Sequence, residues 1–115
     1  MDETSTSIVA VTVNAPPAFE ERVVDWLLSR DAPGFTSYAA HGHGATSAEL
    51  SVAEQVSGRQ RRVEFRIEVA AAELDGFLDA LTTDFAGTDV YFLVSPVLRS
   101  GHLRGIVNES VFSSR

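Results

Sequence analysis

The chain has 115 residues, the length of a single domain, and 44% of them are hydrophobic, which is enough for one core. It contains neither cysteine nor lysine, which excludes disulfides, thiolate metal sites, cysteine nucleophiles and Schiff-base chemistry. The net charge of −7 argues against nucleic-acid binding, and the sequence shows neither a signal peptide nor a membrane span, so we expect a soluble, cytoplasmic protein without membrane insertion.

The first half of the chain predicts a strand, a helix and a second strand. Residues 1–7 are polar and are expected to be a disordered lead. Ile8–Val13 is nearly continuous in apolar and β-branched residues, which predicts a strand covered on both faces. Asn14 is expected to cap the following helix, and Gly34–Ala40 to form the second strand. The helix carries its apolar residues on one face: Phe19, Val23, Trp26 and Leu27.

A polar excursion of about sixteen residues follows, longer than the roughly 2–5 residues that close an ordinary hairpin. A glycine- and histidine-bearing turn at His41–Gly44 precedes it. Ser51–Glu54 has the Ser-x-x-Glu form of a helix start, and Gly58 stands where such a short helix would end. Long loops on rigid scaffolds often carry function, so we expect the functional residues here.

The second half of the chain predicts a strand, a helix and a fourth strand. Val63–Val69 alternates between apolar and charged residues and is the clearest strand. A turn at Gly87–Asp89 leads into the strand Val90–Val94, which Pro96 ends, bends or places at a sheet edge. Residues 105–115 form a polar tail. The helix between these strands has apolar residues at i, i+3, i+4 and i+7: Leu74, Phe77, Leu78 and Leu81.

The order β-α-β-β-α-β predicts an α+β fold over residues 8–104, a ferredoxin-like sandwich with a four-stranded antiparallel sheet and two helices on one face. The other face of the sheet is open in a monomer. Its mixed apolar and charged character favours burial against further copies of the chain. We expect a homotrimer in preference to a dimer. The alternative is a soluble monomer whose exposed sheet face is covered by salt bridges. The residues expected on the open face are Arg62, Glu64, Arg66 and Glu68 of the third strand and Val9 and Val11 of the first.

The pair His41 and His43 is the strongest candidate for chemistry. Residues at i and i+2 project to the same side of an extended chain, and two imidazoles bind Zn, Cu or Ni when a third ligand arrives. Candidates for the third ligand are His102, Glu49 or a residue of a neighbouring subunit. The alternative is a solvated loop in which the histidines bind nothing.

A phosphate site is a second possibility, because glycine-rich backbone together with arginine can hold a phosphate. The alternative makes the glycines ordinary turn residues and the arginines solvated. The residues concerned are Gly42, Gly44, Gly87, Arg99 and Arg104.

Enzymatic chemistry has little support in the sequence. Neither a Ser-His-Asp spacing nor an HExxH motif is present, and the carboxylates fall mostly on faces predicted to be exposed. We therefore expect a protein that is not an enzyme. An enzyme that uses the cleft under the loop would require a deep apolar pocket with a perturbed carboxylate or histidine.

The succession of a strand, a Pro-Pro helix, Gly34–Tyr38, a Gly-His-Gly turn and a long loop resembles the P-II-like signalling proteins. Gly34–Gly44 and Leu50–Val56 resemble more specifically a small P-II-like family of proteobacteria, encoded beside heavy-metal efflux pumps of the resistance-nodulation-division type. The resemblance covers residues 8–104. It implies a trimer with nucleotides between the subunits, in which the loop 39–62 corresponds to the T-loop and changes shape with the nucleotide.

The resemblance also implies candidate nucleotide-binding residues. Thr36, Gly42 and Gly44 match the strand-to-loop positions that line the P-II nucleotide cleft. Arg99 and Arg104 match the basic residues after the last strand that meet the phosphates.

The chain departs from the P-II pattern before the fourth strand. Where P-II proteins have a glycine-rich turn with a lysine, this chain has Ala86–Asp89. The acidic Asp89 is expected to repel a polyphosphate, which favours His41 and His43 as the sensory groups of a metal-linked relative.

The leading hypothesis is a non-enzymatic, P-II-like trimeric regulator linked to heavy-metal efflux. It would sense a Zn, Cu, Ni or Co ion through the loop 39–62, and the ordering of that loop would change its contact with a pump or another partner. The alternative is an adenine-nucleotide-responsive P-II-like signalling protein without a metal role.

Overall fold

Four strands and two helices follow one another in the predicted order. The computed structural model describes residues 7–30, 32, 34–43 and 59–104. The lead up to residue 6, the helix expected from Ser51–Glu54 and the tail 105–115 lie outside these residues. The elements are β1 (Ile8–Ala15), α1 (Glu20–Ser29), β2 (Phe35–Gly42), β3 (Gln60–Ala70), α2 (Leu74–Phe85) and β4 (Tyr91–Pro96), with a 3-10 turn before each helix at Pro17–Phe19 and Ala71–Glu73.

The strands form one sheet in the order β2-β3-β1-β4, and every neighbouring pair is antiparallel. Residues of both helices, including Leu27 of α1 and Phe85 of α2, pack into one core against the sheet. The ferredoxin-like α+β sandwich is therefore confirmed. In this order β2 and β4 are the edge strands among the described residues.

The core lies between the helices and one face of the two central strands. Val11 of β1 is opposite Ile67 of β3, and Val13 is opposite Phe65. Directly opposed residues of antiparallel strands point to the same face, so these four side chains form one apolar layer. All four are at most 1% exposed.

This register corrects the expectation that Val9 and Val11 face away from the helices. Val9 is opposite Val69 and belongs to the same helix-facing layer as Val11, which is fully buried. Because β1 is apolar at nearly every position, its sequence carries no alternation that fixes which residues point inward.

Several element boundaries also differ from the prediction. Asn14 does not cap α1, because it lies within β1 opposite Glu64 and Tyr91, and the helix begins after the turn Pro17–Phe19. His41 and Gly42 belong to β2 and are paired with β3 rather than forming a turn. The connection that we call the β2–β3 loop is therefore residues 43–59, shorter than the predicted 39–62.

The two helices are joined through Trp26. Its indole ring meets the rings of Phe77 and Phe85 of α2 edge-on, with centroids 5.4 and 5.8 Å away. The indole Nε1–H donates a hydrogen bond of 2.6 Å to Asp84 Oδ2, and Arg22 Nη2 donates one of 2.6 Å to the Asp84 carbonyl oxygen. These contacts fix the C-terminal end of α2 against α1.

The edge strand β4 is exposed along its whole length, including Tyr91 and Leu93. Pro96 is its last residue, as the sequence allowed for a strand at the sheet edge. At the far end of β1, the Ser7 carbonyl oxygen accepts a hydrogen bond of 3.0 Å from the Ala71 amide. No helix among the described residues is long and apolar enough to cross a membrane.

Candidate functional site

A polar cleft of about 340 Å³ lies at the end of the sheet where the β2–β3 loop leaves. Its walls come from the ends of β1 and β2, the start of β3, and the turn between α2 and β4. Strand pairing brings these segments together, because β3 runs beside both β1 and β2. The lining residues are Asn14, Ala40, His41, Gly42, His43, Gln60, Arg62, Glu64, Asp89 and Tyr91.

The two candidate histidines enter this cleft from the end of β2. His41 is opposite Arg61 of β3, and Gly42 is opposite Gln60, so the strand holds the chain extended up to Gly42. His43 is the next residue. Both residues are exposed and both line the cleft. The two residues thus share one cleft, and their role as metal ligands stays a prediction.

Arg62 forms the floor of the cleft and is only 5% exposed. Its Nη1 and Nη2 groups donate hydrogen bonds of 2.8 Å to Asp89, one to the carboxylate and one to the carbonyl oxygen. Its Nε–H donates a bond of 2.5 Å to Asn14 Oδ1. The guanidinium carbon lies 5.9 Å from the centroid of the Tyr91 ring. A buried guanidinium is tolerated only when it is paired in this way.

Asn14 extends these contacts across the open face of the sheet. It is 4% exposed, and its Nδ2 group donates a bond of 2.6 Å to Glu64 Oε2. Glu64 is opposite Tyr38 of β2 and accepts a hydrogen bond from its phenol. That bond, together with burial and the charge of Glu64, raises the pKa of Tyr38, while Arg66 opposes the shift. We call the chain of contacts through Tyr38, Glu64, Asn14, Arg62 and Asp89 the polar network.

The polar network corrects two expectations from the sequence. Arg62 was expected on a solvated or partner-facing surface, but it is buried because its partners Asn14 and Asp89 are 48 and 27 positions away in the chain. Asp89 was expected to repel a polyphosphate through its acidic side chain, but that side chain is ion-paired with Arg62. In the sequence, Arg62 closes an arginine-rich stretch and shows no sign of burial.

The comparison with protein families assigns the chain. The family model DUF3240, described as a protein of unknown function, matches residues 5–104. The chain belongs to the DUF3240 family. A comparison with curated proteins found no significant match.

Solved structures similar to this DUF3240 protein share its fold. The crystal structure of a DUF3240 family protein from Shewanella baltica has a TM-score of 0.67 and 18% identity, and the match covers 84% of this chain and 96% of that one. The structure of the GlnK–ATP complex from B. subtilis has a TM-score of 0.65 and 17% identity, and the match covers 87% and 90%. GlnK is a P-II protein, so these likenesses confirm the P-II-like fold.

The metal-ligand set predicted for the DUF3240 protein is only partly assembled within one subunit. Among the described residues, no group of three or more His, Asp or Glu side chains is placed to hold a metal ion. His41 and His43 share the cleft, whereas His102 is an exposed residue in the segment after β4. Glu49 lies outside the described residues. Further ligands would have to come from those residues, from water or from a second subunit.

The residues predicted for nucleotide binding are spread over the molecule. Gly42 lines the cleft, and Thr36 lies farther along β2, opposite Arg66. Gly87 has a φ of +80° in the α2–β4 turn, a left-handed conformation that glycine adopts without strain. Arg99 and Arg104 are exposed after β4, and Gly44 lies outside the described residues.

A second cleft of about 310 Å³ lies on the other side of the α2–β4 turn. Its walls are mostly apolar, with Leu81 and Phe85 from α2 and Val90 and Phe92 from the following segment. Among the described residues, the lining includes neither a histidine nor a carboxylate. This cleft is separate from the one under the loop, to which the enzyme hypothesis refers.

Proposed function

We propose that this DUF3240 member is a non-enzymatic, P-II-like regulatory protein that binds a transition-metal ion at the base of the β2–β3 loop. His41 and His43 supply imidazole ligands. Binding orders the loop, the counterpart of the P-II T-loop, and thereby changes its contact with a partner. The P-II-like fold supports a regulatory and signalling role, and the metal is the finer part of the proposal.

The observation that carries the proposal is the shared position of His41 and His43 in one polar cleft. Imidazole nitrogens suit Zn, Cu, Ni and Co, and two of them at positions i and i+2 of an extended chain can approach one ion. The cleft also presents the carboxylate of Glu64, while the buried guanidinium of Arg62 is neutralised by its ion pair with Asp89. Its electrostatic balance favours a cation.

The same balance disfavours the nucleotide alternative at this cleft. The guanidinium of Arg62 is already bound to Asp89 and Asn14, so a phosphate would have to replace contacts of 2.5–2.8 Å. A phosphate would also approach the Glu64 carboxylate. Adenine nucleotides therefore enter the experiment as competitors of the metal ions.

The test is the thermal unfolding of metal-free protein with Zn, Cu, Ni or Co, and separately with ATP, ADP or AMP. A ligand that binds only the folded state adds about 2.7 kcal/mol at a hundredfold excess over its dissociation constant. We expect a rise in melting temperature with at least one metal ion. The rise should disappear in the double variant His41→Ala/His43→Ala.

His102→Ala and Glu68→Gln complete the panel of variants. Glu68 lies on β3, away from the cleft, and its replacement should leave metal binding unchanged. A loss of affinity in His102→Ala would add that residue to the ligand set. Equal metal affinity in the wild type and the His41/His43 double variant would refute the proposed site. A rise with nucleotides alone would instead establish the nucleotide-responsive alternative.

We further propose that the protein acts in the cytoplasm as a homotrimer and that its partner is a component of a heavy-metal efflux pump, which links it to metal transport. The exposed apolar residues of β4, with Leu98 and Leu103 beyond it, support association between copies. The pump rests on the resemblance in Gly34–Gly44 and Leu50–Val56. Light scattering checks the trimer, and binding of the purified pump with and without the metal checks the partner.

A further inference from the structure

Arg62 connects the base of the β2–β3 loop to the α2–β4 turn through one side chain. A Cβ atom built on Gly42 would lie 3.6 Å from Arg62 Cγ and 3.9 Å from Arg62 Cδ, so the arginine stem passes directly beside Gly42. Gly42 stands between His41 and His43. The head group of the same arginine reaches Asp89 in the turn that follows α2.

The head group of Arg62 is held unequally at its two ends. Asn14, which accepts from Nε, is buried, whereas the side chain of Asp89 is 68% exposed. Ion pairs with an exposed partner are weak, while a buried polar group that loses its partner carries the full desolvation cost. Arg62 therefore stays attached to Asn14 when its contact with Asp89 changes.

The turn that carries Asp89 is short and is held by hydrogen bonds at Thr88 and Asp89. The Thr88 amide donates a hydrogen bond of 3.2 Å to the Phe85 carbonyl oxygen, and the Thr88 hydroxyl donates one of 2.6 Å to the same atom. Asp89, the next residue, accepts two hydrogen bonds from Arg62, one at its carboxylate and one at its carbonyl oxygen. Through these contacts the position of the turn depends on β3.

We propose that Arg62 is a positioning residue that couples the state of the loop base at His41–His43 to the conformation of the α2–β4 turn. This rests on the proposed function, because a ligand at the two histidines is what moves the loop base. When a cation draws the imidazoles together, Gly42 shifts against the arginine stem, the contacts with Asp89 change and the turn responds. The signal then reaches a second surface besides the loop.

The coupling is testable in the full chain without any ligand. Gly42→Val places a branched side chain against the Arg62 stem, and the readout is hydrogen exchange of the Thr88 amide measured by NMR. We expect this exchange to become about fivefold faster or more, the lower range of ordinary coupling between two sites. An unchanged Thr88 exchange rate in a folded Gly42→Val protein would overturn the proposal.

A double variant shows whether the effect passes through the ion pair. In an Asp89→Asn background, Gly42→Val should cause no further acceleration, whereas in Asp89→Glu, which keeps the carboxylate, the effect should persist. Asp79→Asn, which removes an exposed charge elsewhere on α2, is the matched control and should leave the effect intact. A merely structural role of Asp89 predicts additive effects of the two substitutions, and additivity refutes the coupling.

A zinc experiment separates this proposal from the metal site itself. Zinc chloride is added to metal-free wild type and to Asp89→Asn, and both zinc binding and Thr88 exchange are followed. Both proteins should bind zinc, but only the wild type should change its Thr88 exchange. An equal response in both, or zinc binding to wild type without a response, refutes the coupling. If neither protein binds zinc, the metal site fails, and the ligand-free variants still decide the coupling.

Discussion

The two faces of the sheet are held in place by different interactions. On the helix-facing side, Phe65, Ile67 and Val11 are buried by apolar neighbours. On the open side, Arg62 and Asn14 are almost as deeply buried, but their polar groups are held by hydrogen bonds, including two that Arg62 donates to Asn14. Both faces meet in β3, where Phe65 and Glu64 are adjacent in the chain and belong to opposite environments.

This difference determines how each face responds to substitution. Apolar burial is non-directional, so the stability lost on substitution should follow the side-chain volume that is removed. A hydrogen-bonded guanidinium depends on the direction of its donors, so even a replacement that preserves the charge should be costly. A core that tolerates a large loss of side-chain volume would contradict this difference between the two faces. So would a polar network that tolerates a change in the shape of its side chains.

The largest effect is expected in the core. Phe65→Ala removes the largest fully buried side chain of the described part of the chain and should lower the free energy of unfolding by about 3–5 kcal/mol. Ile67→Val, which removes one methylene from the same layer, should cost about 0.5–1.5 kcal/mol. Urea denaturation followed by circular dichroism measures both. If the two variants lost the same free energy of unfolding, the loss would not follow the side-chain volume removed.

The next effect is expected at Arg62. Arg62→Lys keeps the charge but cannot reproduce the bonds to Asn14 and Asp89, and it should cost about 1–3 kcal/mol. Arg66→Lys is the control, because Arg66 is exposed on the same strand, and its cost should stay within about 0.5 kcal/mol. If both replacements prove equally mild, the polar network does not depend on donor geometry.

A smaller effect is expected at the exposed end of the polar network. Asp89→Asn removes the charge of a side chain that is 68% exposed, so it should cost no more than about 1 kcal/mol. Because salt screens such a pair, the difference from wild type should shrink in about 1 M sodium chloride. A cost that does not change with salt would indicate that hydrogen-bond geometry rather than charge is lost.

The smallest effect concerns pH. The pKa of Tyr38 is raised above its ordinary value of 10.0, chiefly by the hydrogen bond to Glu64. The neutral phenol therefore contributes stability that is fully present below pH 10.0 and is lost as the pH rises through the folded-state pKa. Melting temperatures of wild type and Tyr38→Phe should differ below that range and converge above it.

Most of the fold follows from local sequence patterns. The alternation in Val63–Val69 and the spacing from Leu74 to Leu81 are strong because each element has one buried and one exposed side. β1 has apolar residues on both sides, so its orientation was predicted wrongly for Val9 and Val11. Only the pairing of β1 with β3 decides which of its residues face the helices.

The candidate site was less accessible to sequence reasoning. His41 and His43 both line one cleft, since they flank Gly42 at the end of β2. The polar network depends on partners 26 to 50 positions apart, and the sequence does not show which charged residues meet. The metal-binding role of the histidines stays a prediction.

Trp26 gives the molecule an intrinsic optical label. It is the single tryptophan of the chain, and it lies between the two helices with its N–H bound to Asp84 and its ring edge-on to Phe77 and Phe85. Separation of α1 from α2 changes the polarity around the indole and therefore the wavelength of its fluorescence. Changes at the end of α2, which leads into the turn at Asp89, can thus be followed by stopped-flow fluorescence without an attached dye.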